Sequence, residues 1–235
     1  MIWPDTAEPR TTRLRPNRRR GPLRTPPRSG VKVALFDIDG TLTRHKSIWQ
    51  FLMEETGVWD GPGRANLDAF LAGRIDYQEF CDLDAELFRG RAYAEVEKIA
   101  HEVPKWDGLD ALFAALKARG YRVVLISTGL RLMASYFTRR YDIADVFAND
   151  LERSDGICTG RSLIDVGEHE KEKVVRDVLD RLAPDHVLAL GDSSGDLPLF
   201  RAADLAVAVN PDERVAGAVH ASLIGEDLAV LADVL

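Results

Sequence analysis

Three short, almost wholly apolar runs constrain this chain more than any other feature. VKVALF (Val31–Phe36), YRVVLIS (Tyr121–Ser127) and HVLALGD (His186–Asp192) are too short for buried helices of ordinary length, and each gives way to a polar cluster. A fourth run, ADLAVAVN (Ala203–Asn210), and a shorter one, DVFAN (Asp145–Asn149), have the same character. Between them lie amphipathic helical patterns: GLDALFAALKARG, RLMASYFTRRY and KEKVVRDVLDRL. Strands without polar alternation, separated by helices, predict a parallel α/β sheet of Rossmann-like type covered on both faces. In such sheets ligands collect outside the carboxyl ends of the strands.

Residues 44–104 break the alternation. SIWQFLMEETG, NLDAFLAGRI, DYQEFCDLDAELFRG and AYAEVEKIAHEV are all helical in period and are punctuated by Gly57, Gly73 and Gly90. They predict a small helical cap inserted after the first strand, placed to cover the site, with residues 31–43 and 105–235 forming the core. Residues 1–30 differ again. They hold eight arginines, two acids and six of the 11 prolines, and show neither helix nor strand period. The expectation there is a disordered Arg/Pro-rich tail, or a mistranslated leader if synthesis starts at Val31.

The charge distribution follows from this division. The tail carries +6 and the rest −13 of the formal net charge of −7. An acidic body is ill suited to a nucleic-acid backbone, so only the tail keeps a nucleic-acid or anionic-lipid reading alive. Cys81 and Cys158 lie far apart in segments of different character, which fits a reducing cytoplasm and neither a disulfide framework nor a thiolate metal site. No stretch has the length needed to span a bilayer.

The polar clusters at the strand ends carry the chemistry. Asp37 and Asp39, beside Gly40 and Thr41, place two like charges behind a buried strand. Such a pair suits a hard divalent cation, with Asp192 as a third carboxylate from another strand and Asp196 close behind it. Ser127 and Thr128 supply hydroxyls, and Gly129 allows close backbone approach to an anion. Lys171 opens a helix, where a positive charge is electrostatically out of place unless an anion such as phosphate is bound, and Lys173 is its rival. Taken singly, each acid also reads as an ordinary Asx turn. Their convergence on one sheet edge favours Mg2+ with a substrate phosphate.

With these clusters in order, the chain resembles the haloacid dehalogenase-like (HAD) phosphohydrolases, and among them the phosphoserine phosphatase-type branch with a small helical cap. DIDGT matches the nucleophile motif, STG the hydroxyl motif, Lys171 the lysine and GDSSGD the acidic metal motif. The resemblance implies that Asp37 attacks phosphorus to give an aspartyl-phosphate, while Asp39 protonates the leaving oxygen and later activates water. It implies that Asp37, the main-chain carbonyl of Asp39 and Asp192 hold Mg2+, and that Ser127, Thr128, Gly129 and Lys171 hold phosphate. Asp196 and Thr41 would support them. Ser193 and Gly195 depart from the family pattern, which has glycine and asparagine at these positions.

Phosphoserine phosphatases carry a glutamate for the substrate amine and a cap arginine for its carboxylate. The matching positions here fall on Lys46 and Asp84, both reversed in charge, so phosphoserine ranks as the alternative substrate. Trp49, with Phe51 and Phe80, either lines a cap pocket or packs the cap on the core. The implied activity is that of a Mg2+-dependent phosphomonoesterase acting on a small phosphorylated metabolite. A non-catalytic member that binds a phospho-ligand or a protein is the competing class.

Overall fold

A computed structural model describes residues 11–17 and 30–235 of the chain. In chain order the elements are β1 (Arg13–Pro16), β2 (Lys32–Phe36), α1 (Ile48–Glu55), α2 (Arg64–Leu71), α3 (Tyr77–Glu86), α4 (Tyr93–Glu102) and α5 (Leu109–Ala118). They continue as β3 (Tyr121–Leu130), α6 (Arg131–Tyr141), β4 (Asp145–Ser154), β5 (Ile157–Leu163), α7 (Lys171–Leu182) and β6 (His186–Gly191). The last are α8 (Leu197–Ala202), β7 (Leu205–Val209), α9 (Glu213–Ala218) and β8 (Ala221–Ile224).

The sheet order is β1-β8-β7-β6-β2-β3-β4-β5. Its centre, from β8 to β4, is parallel, and antiparallel strands close both edges. All five residues of β2 are buried, which explains why no polar alternation marks it. Its side chains divide by the two-residue strand period. Ala34 and Phe36 join a core that includes α1, α5 and α6, whereas Val33 and Leu35 face α7 and α8 through Val175, Val178, Leu199 and Phe200. The polar loops after β2, β3 and β6 therefore emerge together at one edge.

The helices of residues 48–102 begin where their capping residues dictate. Ser47 Oγ accepts from Gln50 N at the start of α1, and Asp76 Oδ1 accepts from Glu79 N at the start of α3. This segment is tied down by the β4–β5 hairpin, which the sequence reading did not anticipate beyond Asn149. Ser162 donates through both its N–H and its hydroxyl to Asp82 Oδ1 on α3, at 2.9 and 2.8 Å. Tyr93 N also donates to the Gly156 carbonyl in the hairpin turn.

One expectation is corrected. The tail read as featureless contains β1, which pairs antiparallel with β8 over Arg13–Pro16. Leu14 packs on the core while its arginine neighbours are exposed, a half-buried edge strand too short for its alternation to stand out. Asn17 then donates to carbonyls of Ala216, Gly217 and Val219, and Thr12 Oγ1 accepts from Glu226 N and Asp227 N. The rest of the tail, residues 1–10 and 18–29, lies outside the described residues. Among the described residues no helix is long and apolar enough to cross a membrane. Both cysteines are buried and unbridged.

Candidate active site

The loop that follows β2 folds back on itself tightly. Leu42 N and Thr43 N return to the Ile38 carbonyl, and Gly40, at φ +80°, donates to the His45 carbonyl. A Cβ at Gly40 would lie 2.5 Å from Asp192 Oδ2, so only glycine lets this loop close against β6. Trp106, expected to be a packing residue, donates its indole N–H to the Gly40 carbonyl at 3.2 Å.

This turn presents Asp37 to Lys171, the first residue of α7. Lys171 Nζ is 2.7 Å from Asp37 Oδ1 and 2.7 Å from Asp196 Oδ1, with all three groups buried. Thr41 Oγ1 donates to the other Asp37 oxygen at 2.9 Å. Asp196 is more fully engaged. Its second oxygen accepts from Asp192 N, Ser193 N and the Ser193 hydroxyl at 2.9, 3.1 and 3.3 Å. Ser193, a departure from the family pattern, thus supplies part of the clamp that fixes Asp196. Lys173 has no part in this contact.

Carboxylate oxygens of Asp37, Asp192 and Asp196 lie within 4.8 Å of one another, all buried. The Asp39 carboxylate stands outside this cluster and accepts from Ile48 N, the first amide of α1, at 3.1 Å. Burial, then repulsion from Asp196, lifts Asp37 well above the ordinary carboxylate range against the pull of Lys171. Burial lifts Asp39 to about 6, opposed by the Ile48 hydrogen bond. Asp192 is also raised to about 6, by burial and by Asp196, although Lys46 Nζ pairs with it at 3.1 Å. Four carboxylates thus share two lysines, and this excess of buried negative charge fits a divalent cation.

The clusters line a cavity of about 430 Å3. Asp37, Asp39, Ser127, Thr128, Gly129, Lys171 and Asp192 all contribute to its wall, as do Lys46 and Trp49. Asp196 and Thr41 lie behind it, each holding a lining group. Ser127 Oγ accepts from Gly129 N at 2.9 Å, which curls the STG turn. Asn149 fixes that turn from β4, donating to the Thr128 carbonyl at 3.0 Å and accepting from Asp165 N and Val166 N.

Asp84 is not part of this wall. It is buried in α3, accepts from Asn66 Nδ2 at 2.9 Å and is lifted to about 7 by burial. Three lining residues were missed from the sequence: Ser47, Tyr77 and Glu168. Tyr77 opens a helix after a capping aspartate, a position whose spatial neighbour no local pattern reveals. Its hydroxyl contacts the Thr128 carbonyl at 3.4 Å and Asn149 Nδ2 at 3.2 Å.

This arrangement has known counterparts. A family model described as haloacid dehalogenase-like hydrolase matches residues 34–201. The chain belongs to that family. A relative named phosphoserine phosphatase from Archaeoglobus fulgidus is 30% identical over 213 residues, covering 87% of this chain and 60% of the relative. The chain therefore spans less than two thirds of that relative's length. Among solved structures, a HAD family hydrolase from Salmonella enterica serovar Typhi superposes with a TM-score of 0.74 at 21% identity, over 88% of this chain and 72% of that one. A phospho-aspartyl intermediate analogue of phosphoserine phosphatase superposes with a TM-score of 0.70 at 22% identity, over 87% of this chain and 99% of that one. Both likenesses are of the HAD fold, with its parallel sheet and helices inserted after the first core strand.

Proposed function

We propose that this HAD hydrolase is a Mg2+-dependent phosphomonoesterase that cleaves a small phosphorylated metabolite through a phosphorylated Asp37. The observation that carries the reading is the placement of Lys171, 2.7 Å from both Asp37 and Asp196 at the edge of a cavity also lined by Asp39 and Ser127. A lysine so placed holds the nucleophile's carboxylate in one orientation and brings a positive charge to the phosphoryl oxygens.

Asp37 attacks phosphorus as the bond to the leaving oxygen breaks. Asp39 gives that oxygen its proton, and its raised pKa of about 6 keeps a proton-bearing fraction near neutrality. In the second half Asp39 takes a proton from water, which attacks phosphorus and releases Asp37. The Ile48 N–H holds the Asp39 carboxylate for both roles. Ser127, Thr128, Gly129 and Lys171 receive the phosphoryl oxygens. Asp37, Asp192 and the main-chain carbonyl of Asp39 would hold Mg2+, with Asp196 positioning Lys171 and the Asp192 loop. The ion would offset charge on the transferring phosphoryl group.

The helical segment 44–104 acts as a cap, since Lys46, Ser47, Trp49 and Tyr77 all reach the cavity wall. Phosphoserine is the second reading, favoured by the printed name of the archaeal relative. Lys46 on the wall and Asp84 away from it argue against that substrate, because its amine would meet a like charge.

Phosphate release from a panel of phosphomonoesters with Mg2+, beside Asp37→Asn protein and an EDTA control, tests both readings. Release that disappears in both controls supports the enzyme. Failure to hydrolyse any ester, aryl phosphates included, rejects it and favours the ligand-binding class.

A further inference from the structure

The cavity wall contains a donor that has nothing to donate to. Trp49 lines the cavity and is 8% exposed, yet its indole Nε1 is fully shielded and has no acceptor among the described residues. An indole N–H can only donate, and a buried donor left unpaired is destabilising. Fold stability alone gives no reason to keep it there, since phenylalanine would fill much of the same space without the penalty.

The position of Trp49 says which part of a substrate would meet it. It lies in the first turn of α1, next to Ile48, whose N–H holds Asp39. Asp39 is the group that protonates the leaving oxygen in the reading above, so this turn borders the leaving group and not the phosphoryl cradle. Lys46 reaches the same cavity from just before the same helix. Its side chain is 70% exposed, and its ion-pair partner is Asp192 at 3.1 Å. Asp192 is also a carboxylate that a divalent cation would share, which leaves the Lys46 ammonium with charge to spare.

We infer that the leaving group carries an acidic oxygen substituent, a carboxylate or a second phosphoryl group, received by the Trp49 indole N–H and the Lys46 ammonium. This rests on the phosphatase reading. The other charged group at the cavity mouth, Glu168, is half exposed and lies 3.7 Å from His169 Nε2. It is the one lining group outside the cradle that would suit an ammonium, so an amino substituent is the rival recognition chemistry. A bond from Trp49 to an anionic oxygen satisfies a donor that an ammonium would leave unpaired.

The test compares kcat/KM of the full chain with Mg2+ on phosphoglycolate, fructose 1,6-bisphosphate, glycerol 3-phosphate, phosphoethanolamine and p-nitrophenyl phosphate. Phosphoglycolate or the bisphosphate should exceed glycerol 3-phosphate and phosphoethanolamine by about tenfold or more. Trp49→Phe and Lys46→Met should each remove most of that preference, chiefly through KM, and Lys46→Arg should retain part of it. Preference for phosphoethanolamine or glycerol 3-phosphate overturns the inference, as does an equal loss on every ester in the variants. The two phosphate-bearing acids separate carboxylate from phosphoryl recognition. If p-nitrophenyl phosphate is not hydrolysed either, the phosphatase reading fails. Calorimetric binding of phosphoglycolate and glycerol 3-phosphate to wild-type and Trp49→Phe protein then decides the inference by itself: it stands if wild type favours phosphoglycolate and the variant does not, and falls otherwise.

Discussion

Lys171 Nζ sits midway between Asp37 and Asp196, 2.7 Å from a carboxylate oxygen of each, and burial does not release it. The two carboxylates hold its pKa above the ordinary lysine range although burial alone would lower it. Lys171→Met should therefore act twice. It removes the cation at the phosphoryl oxygens, for a fall in kcat/KM of about 10²–10³. It also strands two buried carboxylates, and the melting temperature at pH 7.5 should drop by roughly 10 °C. Steady-state kinetics and thermal denaturation check the pair, and an active, equally stable variant would remove Lys171 from the mechanism.

Gly129 allows a cleaner separation of geometry from stability. Its backbone needs no positive φ, yet an added Cβ would lie 2.4 Å from Asp39 Oδ2 and 3.1 Å from Ser127 Oγ. Gly129→Ala should push the Asp39 carboxylate off the Ile48 N–H while sparing the strand. The expected result is a loss of about 10²-fold in kcat with a melting temperature within a few degrees of wild type. A variant of full activity would show that Asp39 need not be held where it is.

How much of this was readable beforehand varies with the range of the interaction. β2, β3, β6 and β7 were legible because burial on both faces leaves an unbroken apolar run, and the end of each run delivered Asp37, Ser127 and Asp192 to one edge. The β4–β5 hairpin was missed even though Asp155-Gly156, both at positive φ, is a tight-turn pair flanked by strand residues. Its flanks, DLERS and ICTGRSL, are polar enough to hide the period. β1 and β8 were missed because each is only four residues long and gains its stability from the other. Among site residues, Tyr77 and Glu168 reach the cavity only through tertiary packing. Asp84 fared worse: a helical position matched by counting placed it near substrate, whereas α3 turns it toward Asn66 and away from the cavity.

Asp84 nevertheless supports a prediction about pH. Its folded pKa of about 7 is raised above the model value of 3.8 by burial, so the native state binds its proton more tightly than the unfolded chain. Its contribution is favourable below pH 4 and is lost progressively as pH rises through 7. Asp84→Asn keeps an oxygen for the Asn66 N–H and removes the titration. The variant should match wild type near pH 5 and melt several degrees higher at pH 8.5. Melting curves across that range check it, and a constant difference at every pH would assign the effect to packing.

The carboxylate cluster predicts that Mg2+ stabilises the fold as well as supporting turnover. Saturating Mg2+ at about 100 times its Kd should add roughly 2.7 kcal/mol. Asp192→Asn should abolish most of the Mg2+-dependent rise in melting temperature, because it removes a carboxylate that no other lining group replaces. Asp196→Asn should act differently. Its oxygens are already taken by Lys171, the Asp192 and Ser193 amides and the Ser193 hydroxyl, so its loss should lower stability even without Mg2+. Thermal shifts with and without EDTA separate the two.

β1 makes a prediction of its own, since an arginine-rich strand is an unusual choice for covering a sheet edge. It fills the hydrogen-bonding edge of β8 and sets Leu14 on the core, while Arg13 and Arg15 stay exposed. Exposed charge on an edge strand discourages pairing with another chain. Removing residues 1–17 should open the edge of β8, whose Ala221, Ser222 and Leu223 are buried. The truncated protein is expected to melt several degrees lower and to scatter more light on heating. Leu14→Asp in the full chain leaves the backbone pairing possible and withdraws only the apolar contact, for a loss of about 1–2 kcal/mol. If both proteins denature as wild type does, the strand adds nothing to the fold, and the arginines would have to be explained by what they bind.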